Sequence, residues 1–290
     1  MSTDNPSQFD TPQMVVHVPS VSGDATLPPG QSDAITAGHL HDTEPLSIEV
    51  SPAAIARRLT ALVLVLAAVG AIVNIVIYQI APSPDHRIAR LLYRFDLGHE
   101  PSIPAWYSSV ALLACCGLLA LIGKFAGRTG RSFRWHWYAL AVIFLLMAID
   151  EAVMFHEMLD NALHQLLQTS GALYFSWVLP AIAFVGVLVI CYRPFLWHLE
   201  PRTRWLFIAA GAIFVGGAVG MEMVAGLIHD SYGLESVAHT ISQTIEETCE
   251  MLGIVLFIYA LLDYLLRNVG TVRFSGPPAT AIAAPSGETS

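Results

Sequence analysis

The sequence predicts an all-α, polytopic integral membrane protein, a bundle of about six transmembrane helices between disordered N- and C-terminal tails. Three observations predict it. Of 290 residues, 54% are hydrophobic and only 13% charged, well under the roughly 25% charged share of an ordinary soluble domain. Apolar stretches of about 20 residues recur, each long enough at about 1.5 Å per residue to cross about 30 Å of hydrocarbon. The 14 Lys and Arg residues gather mostly in alternate connections, as in a chain oriented by the positive-inside rule.

The elements follow in order. Residues 1–56 contain no Lys or Arg and are rich in Ser, Thr, Pro, Gly and Asp. They lack the positive n-region and apolar h-region of a signal peptide and the apolar content to build a core. A disordered, acidic cytoplasmic segment is expected there, with His39 and His41 an idle pair rather than a metal tether. Spans are expected at approximately 59–80, 105–123, 138–157, 174–192, 205–228 and 243–266, within a transmembrane domain covering 57–268. The fifth, from Trp205 to Ile228, contains one charged residue, Glu222. It also carries Gly211, Gly216, Gly217 and Gly220; Gly216 and Gly220 form a small-xxx-small pair, which predicts close helix approach at those two positions. Residues 269–290 are expected to be a second disordered cytoplasmic tail.

Orientation follows from the basic residues. Arg57 and Arg58, then Lys124, Arg128, Arg131 and Arg134, then Arg193, Arg202 and Arg204, and finally Arg267 and Arg273 all fall on one side of the six-span topology. Arg87, Arg90 and Arg94 oppose them, and the connections 158–173 and 229–242 have no Lys or Arg. Both termini are therefore expected in the cytoplasm, with the chain in the plasma or inner membrane. Trp106, Tyr107, Tyr174 and Trp177 read as anchors of the outer interface, and Trp135, Trp137, Tyr138 and Trp205 as anchors of the inner one. All four cysteines, Cys115, Cys116, Cys191 and Cys249, lie within expected spans, so neither a disulfide framework nor a Cys-x-x-Cys metal site follows. The net charge of −9 gives no footing for nucleic acid; membrane lipids are the expected surroundings.

The chemistry is concentrated in three spans. Ionisable residues inside a membrane are costly and read as functional by default. The third expected span ends in Asp150, Glu151, His156 and Glu157, followed by Asp160 and His164. The fifth carries Glu222 and ends near His229, and the sixth begins around His239 and carries Glu246, Glu247 and Glu250. In the six-span topology these three groups fall in the same, outer leaflet, although about 100 residues of sequence separate them. Positions seven apart share a helix face, which groups Asp150 with Glu157 and His164, Glu222 with His229, and His239 with Glu246.

Carboxylates gathered in a low-dielectric site without cationic side chains must be protonated, hydrated or bound to cations. One or two metal ions are therefore expected, and mixed carboxylate and imidazole ligands suit iron, manganese or zinc. His156, Glu222, Glu246 and Glu250 are the expected ligands. Asp150 or Glu157 would complete the shell or serve as general base, and Glu151, Asp160, His164, His229, His239 and Glu247 are additional candidates. Met154, Met158, Met221 and Met223 read as packing rather than as copper ligands. Known signatures match only in part. No Glu-x-x-His of the di-iron bundles occurs, and His156-Glu157-Met-Leu-Asp160 lacks the second histidine of a zinc-protease motif.

Two classes of function follow. One is a membrane-embedded metalloenzyme, an oxidoreductase or hydrolase, that receives a lipid-soluble small molecule from the bilayer. The other is a proton- or cation-coupled transporter, or a metal or pH sensor, that uses the same acids. The cytoplasmic halves of the three spans are almost wholly apolar apart from Asp263, and this one-sidedness favours binding, sensing or catalysis over transport.

Overall fold

The structure is a computed structural model and describes residues 14–18, 46–76, 91–98, 102–128, 133–233 and 236–268. It divides into two units, Pro52–Asn268 and a second unit made of Met1–Ser51 with Val269–Ser290. In the second unit two strands, β1 (Met14–Val18) and β2 (Leu46–Val50), pair antiparallel with Met14 opposite Val50. Val15, Val16, Ile48 and Val50 supply the β-branched residues that strands favour. The rest of that segment, with His39 and His41, and the C-terminal tail lie outside the described residues.

The first unit is all helical, and six of its stretches are long and apolar enough to cross a membrane. They begin with α1 (Pro52–Ile75), α2 (Ile103–Arg128) and α3 (Arg134–Val153). A short helix, α4 (Phe155–Leu167), and a 3-10 turn (Gly171–Leu173) lead into α5 (Val178–His198). Next come α6 (Pro201–Val215), a π turn (Gly216–Met221) and α7 (Glu222–Tyr232), which together form one span, and last α8 (Val237–Asn268). Pro52 and Pro201 each open a helix, where a missing N–H costs nothing.

α8 is the centre of the bundle. It packs against α1, α2, α6, the π turn and α7, and it is the most enclosed of the six spans. The other spans keep large apolar side chains exposed, such as Val189 and Ile190 on α5, as helices facing lipid do. The connection after α1 folds back into the bundle. Leu97 is buried with Val63, Met251 and Val255, abuts Gly70 of α1, and is followed by Gly98, which abuts Gln243 of α8.

The end of the bundle at which α3, α7 and α8 carry their acids is here called the polar end, and the opposite one the basic end. Toward the basic end, aromatic rings fill the interior. Trp137 packs against Phe195, Phe207 and Tyr264, and Phe257 stacks on Phe144 and meets Phe207 at a tilt. Asp263 there accepts from Arg202 at 3.1 Å and from Arg267 at 3.0 Å, and Arg202 also donates to Tyr259. Asp263 is thus a clamp between α6 and α8.

Two expectations are corrected. The third span does not run unbroken to residue 157. It ends at Val153, where Met154 takes a left-handed conformation (φ 61°) and the chain restarts as α4. The fourth span begins at Val178 rather than 174, because Tyr174 and Trp177 belong to a connection tucked against α7.

Candidate functional site

The site begins with the break at Met154. A new helix starts with backbone N–H groups that have no partner of their own, and Asp150, in the last turn of α3, supplies one. Its Oδ1 accepts from the backbone N–H of His156 at 2.9 Å, and its Oδ2 lies 2.9 Å from His156 Nδ1. With the carboxylate oxygen as acceptor, Nδ1 carries the proton of that bond.

From His156 the contacts run inward. Its ring packs on that of Trp177 at 5.3 Å between centroids. The Trp177 backbone N–H donates to Asp160 Oδ1 at 3.2 Å, and its indole N–H donates to Glu222 Oε1 at 3.3 Å. Glu222 in turn lies beside Glu246, with Glu250 and Glu247 also close to it. Glu246 is 9% exposed and about 13 Å from the polar end of α8. The π turn sets this meeting. A Cβ at Gly217 would come within 2.9 Å of the Glu246 carbonyl oxygen and 3.2 Å of Glu250 Cγ, so only glycine lets α7 start so close to α8. The expected pair Gly216 and Gly220 has open space at both positions; the close approach uses their neighbour.

A second group surrounds Tyr174. His164 Nδ1 donates to the Tyr174 carbonyl at 2.8 Å, and the His229 ring lies 3.9 Å from the Tyr174 ring. His239, 6% exposed, lies within electrostatic range of His229 and stacks parallel to Phe175. Asp230 holds the 3-10 turn through the Gly171 N–H at 2.7 Å, and Gly226 sits under the Gly171 carbonyl. Thr169 and Ser176 join hydroxyls across the same connection.

Of the residues expected from sequence, Asp150 meets His156, and Glu222 meets Glu246 with Glu247 and Glu250 beside it. The break at Met154 cancels the sevenfold spacing that joined Asp150, Glu157 and His164. Glu157 is exposed, and the protein-facing stripe of α4 is instead His156, Asp160 and His164. Glu151 is half-buried on α3. The sequence reading missed Trp177, which joins the two halves. Its indole N–H, a donor on a ring otherwise read as an interface anchor, was the available signal. The expected ligands His156 and Glu222 stand on opposite sides of that indole. Among the described residues no group of three or more His, Cys, Asp or Glu side chains is arranged to hold a metal ion.

Residues 56–265 match the model of a domain of unknown function, DUF8692. No curated protein and no solved structure matches the chain.

Proposed function

We propose that this chain, which belongs to the DUF8692 family, is a membrane protein that binds protons at its polar end and answers to extracytoplasmic pH. One observation carries the reading. Glu222 and Glu246 set two carboxyl groups beside each other inside the membrane-spanning bundle, with two further glutamates nearby. Residues 135–192 and 205–266 supply no Lys or Arg to offset them. Two bare carboxylates that close repel strongly in a low dielectric, so a proton or a cation sits between them. Trp177 then couples this pair to the His156–Asp150 pair, and imidazole is the side chain that changes charge near neutral pH.

The aromatic fill toward the basic end favours a site served from one side, a sensor rather than a through-route. The positive-inside count assigns that side as extracytoplasmic. A metal-dependent enzyme remains the competing reading, favoured by Glu246 and Glu250 standing one turn apart on α8. Against it, the Asp150 oxygens and His156 Nδ1 are engaged with each other.

The test is a pH titration of intrinsic tryptophan fluorescence on the full chain in vesicles, beside Glu246→Gln and Trp177→Phe. The expected outcome is a transition in the wild type that both variants lose. A transition unchanged in Glu246→Gln overturns the reading. Elemental analysis of the same preparations separates the two classes. Stoichiometric iron, manganese or zinc that disappears in a Glu246→Ala/Glu250→Ala variant replaces the proton with a metal.

A further inference from the structure

α4 divides into three arcs at about 100° per residue. His156, Asp160 and His164 form the first and turn to the protein, where each makes the contact described above. Glu157, Asn161 and Gln165 form the second, which is polar and exposed. Phe155, Met158, Leu159, Ala162 and Leu166 form the third. All five are exposed, with Phe155 at 53%, Met158 at 64% and Leu166 at 77%. An ordinary amphipathic helix of a soluble domain would turn its apolar arc inward. Here the inward arc carries polar side chains beside Leu163 and Leu167, and the fully apolar arc is left uncovered.

We propose that α4 is an interfacial helix, lying along the headgroup–acyl boundary at the polar end with its apolar arc in lipid and Glu157, Asn161 and Gln165 in water. Three facts name lipid as the partner. α4 joins α3 to α5, two spans whose polar ends lie on the same face of the membrane. Its 13 residues rise about 20 Å, short of the roughly 30 Å needed to cross. Both neighbouring spans also leave apolar side chains exposed, Ile149 and Val153 of α3 and Leu179 and Ile182 of α5. Burial of such an arc by about 5–10 Å is the usual seat of an interfacial helix. The lipid surface thereby holds the helix that carries His156 and Asp160. The placement stands apart from the proton reading and survives its failure.

Spin labels on the full chain in phospholipid vesicles test it, with the four native cysteines replaced by alanine. Labels at Met158, Ala162 and Leu166 should collide preferentially with oxygen, and labels at Glu157, Asn161 and Gln165 with a water-soluble nickel chelate, alternating with the helical period. Nickel access at both sets overturns the proposal. So does low access to both reagents at Met158, Ala162 and Leu166 with dipolar broadening, which would seat a second copy of the chain on that arc. Hydroxyl-radical footprinting of the unaltered protein in vesicles gives the same answer without variants. Met158 should be spared despite its exposure, and oxidation at the rate of a water-exposed methionine would reject the interfacial placement.

Discussion

At the scale of single residues, Asp150 and Glu246 show two uses for an acid near the end of a membrane span. Asp150 serves the backbone. By accepting from the His156 N–H and holding its ring, it caps α4 from the helix before it. Asp150→Ala should cost about 0.5–2 kcal/mol, the range of a lost N-cap. It should also speed amide exchange at residues 155–158 by mass spectrometry. His156→Ala leaves the backbone cap in place, so exchange at these residues should stay near the wild-type rate. Glu246 has no such structural duty. Glu246→Gln should keep or raise the thermal midpoint in detergent while the pH response disappears, because an acid kept for function is held at a cost in stability. The sequence made both residues conspicuous as intramembrane acids but could not separate them. Their difference depends on where α3 stops, and no proline or glycine marks Met154.

At the scale of elements, the spans were legible and their interruptions were not. Bilayer thickness fixes how long an apolar run must be, so composition finds it. The stop after Val153 is the left-handed Met154, bridged by the bonds from Asp150 to His156, and the only trace of it in the sequence is the change to an amphipathic pattern at 155–167. Missing it carried Glu157 into the expected site, because helical phase was extended through a helix that ends. The glycines of the fifth span teach the same lesson. A small-xxx-small pattern permits approach, but which glycine is used depends on the π turn. Gly217→Ala should destabilise by about 1–3 kcal/mol through overpacking against α8. Gly216→Ala and Gly220→Ala, which meet open space, should unfold within a few degrees of wild type in the same melt.

At the scale of the whole molecule, the bundle is asymmetric from end to end. Its basic half is aromatic and clamped by Asp263 between Arg202 and Arg267; its polar half is built from connections that fold back on the helices. Asp263→Ala should lower the thermal midpoint. The loss should stay under the about 3–5 kcal/mol of a fully buried pair, since both guanidiniums are partly in water. Orientation is open to direct measurement. A cysteine placed at Asn161 should react with a membrane-impermeant maleimide added outside intact cells, and one placed at Arg128 should not. The six-span plan could be read from hydropathy alone. Which helices touch, and that α8 lies at the centre, could not, because lipid-facing and helix-facing apolar residues look alike in sequence.

The wide turn at Gly216–Met221 can also be viewed as a matter of length. A π turn is an α-helix holding one residue more than its pitch requires, and that surplus sets the rotation of everything after it. Deleting Ala218 would remove the surplus and keep α7 in phase, whereas closing the turn to the ordinary pitch with every residue kept would swing α7 by about 100°. Glu222 would then leave Glu246, and His229 would leave Tyr174, in a single step and without the loss of one ionisable group. In this span the meeting of the acids is written in the number of residues as much as in their kind.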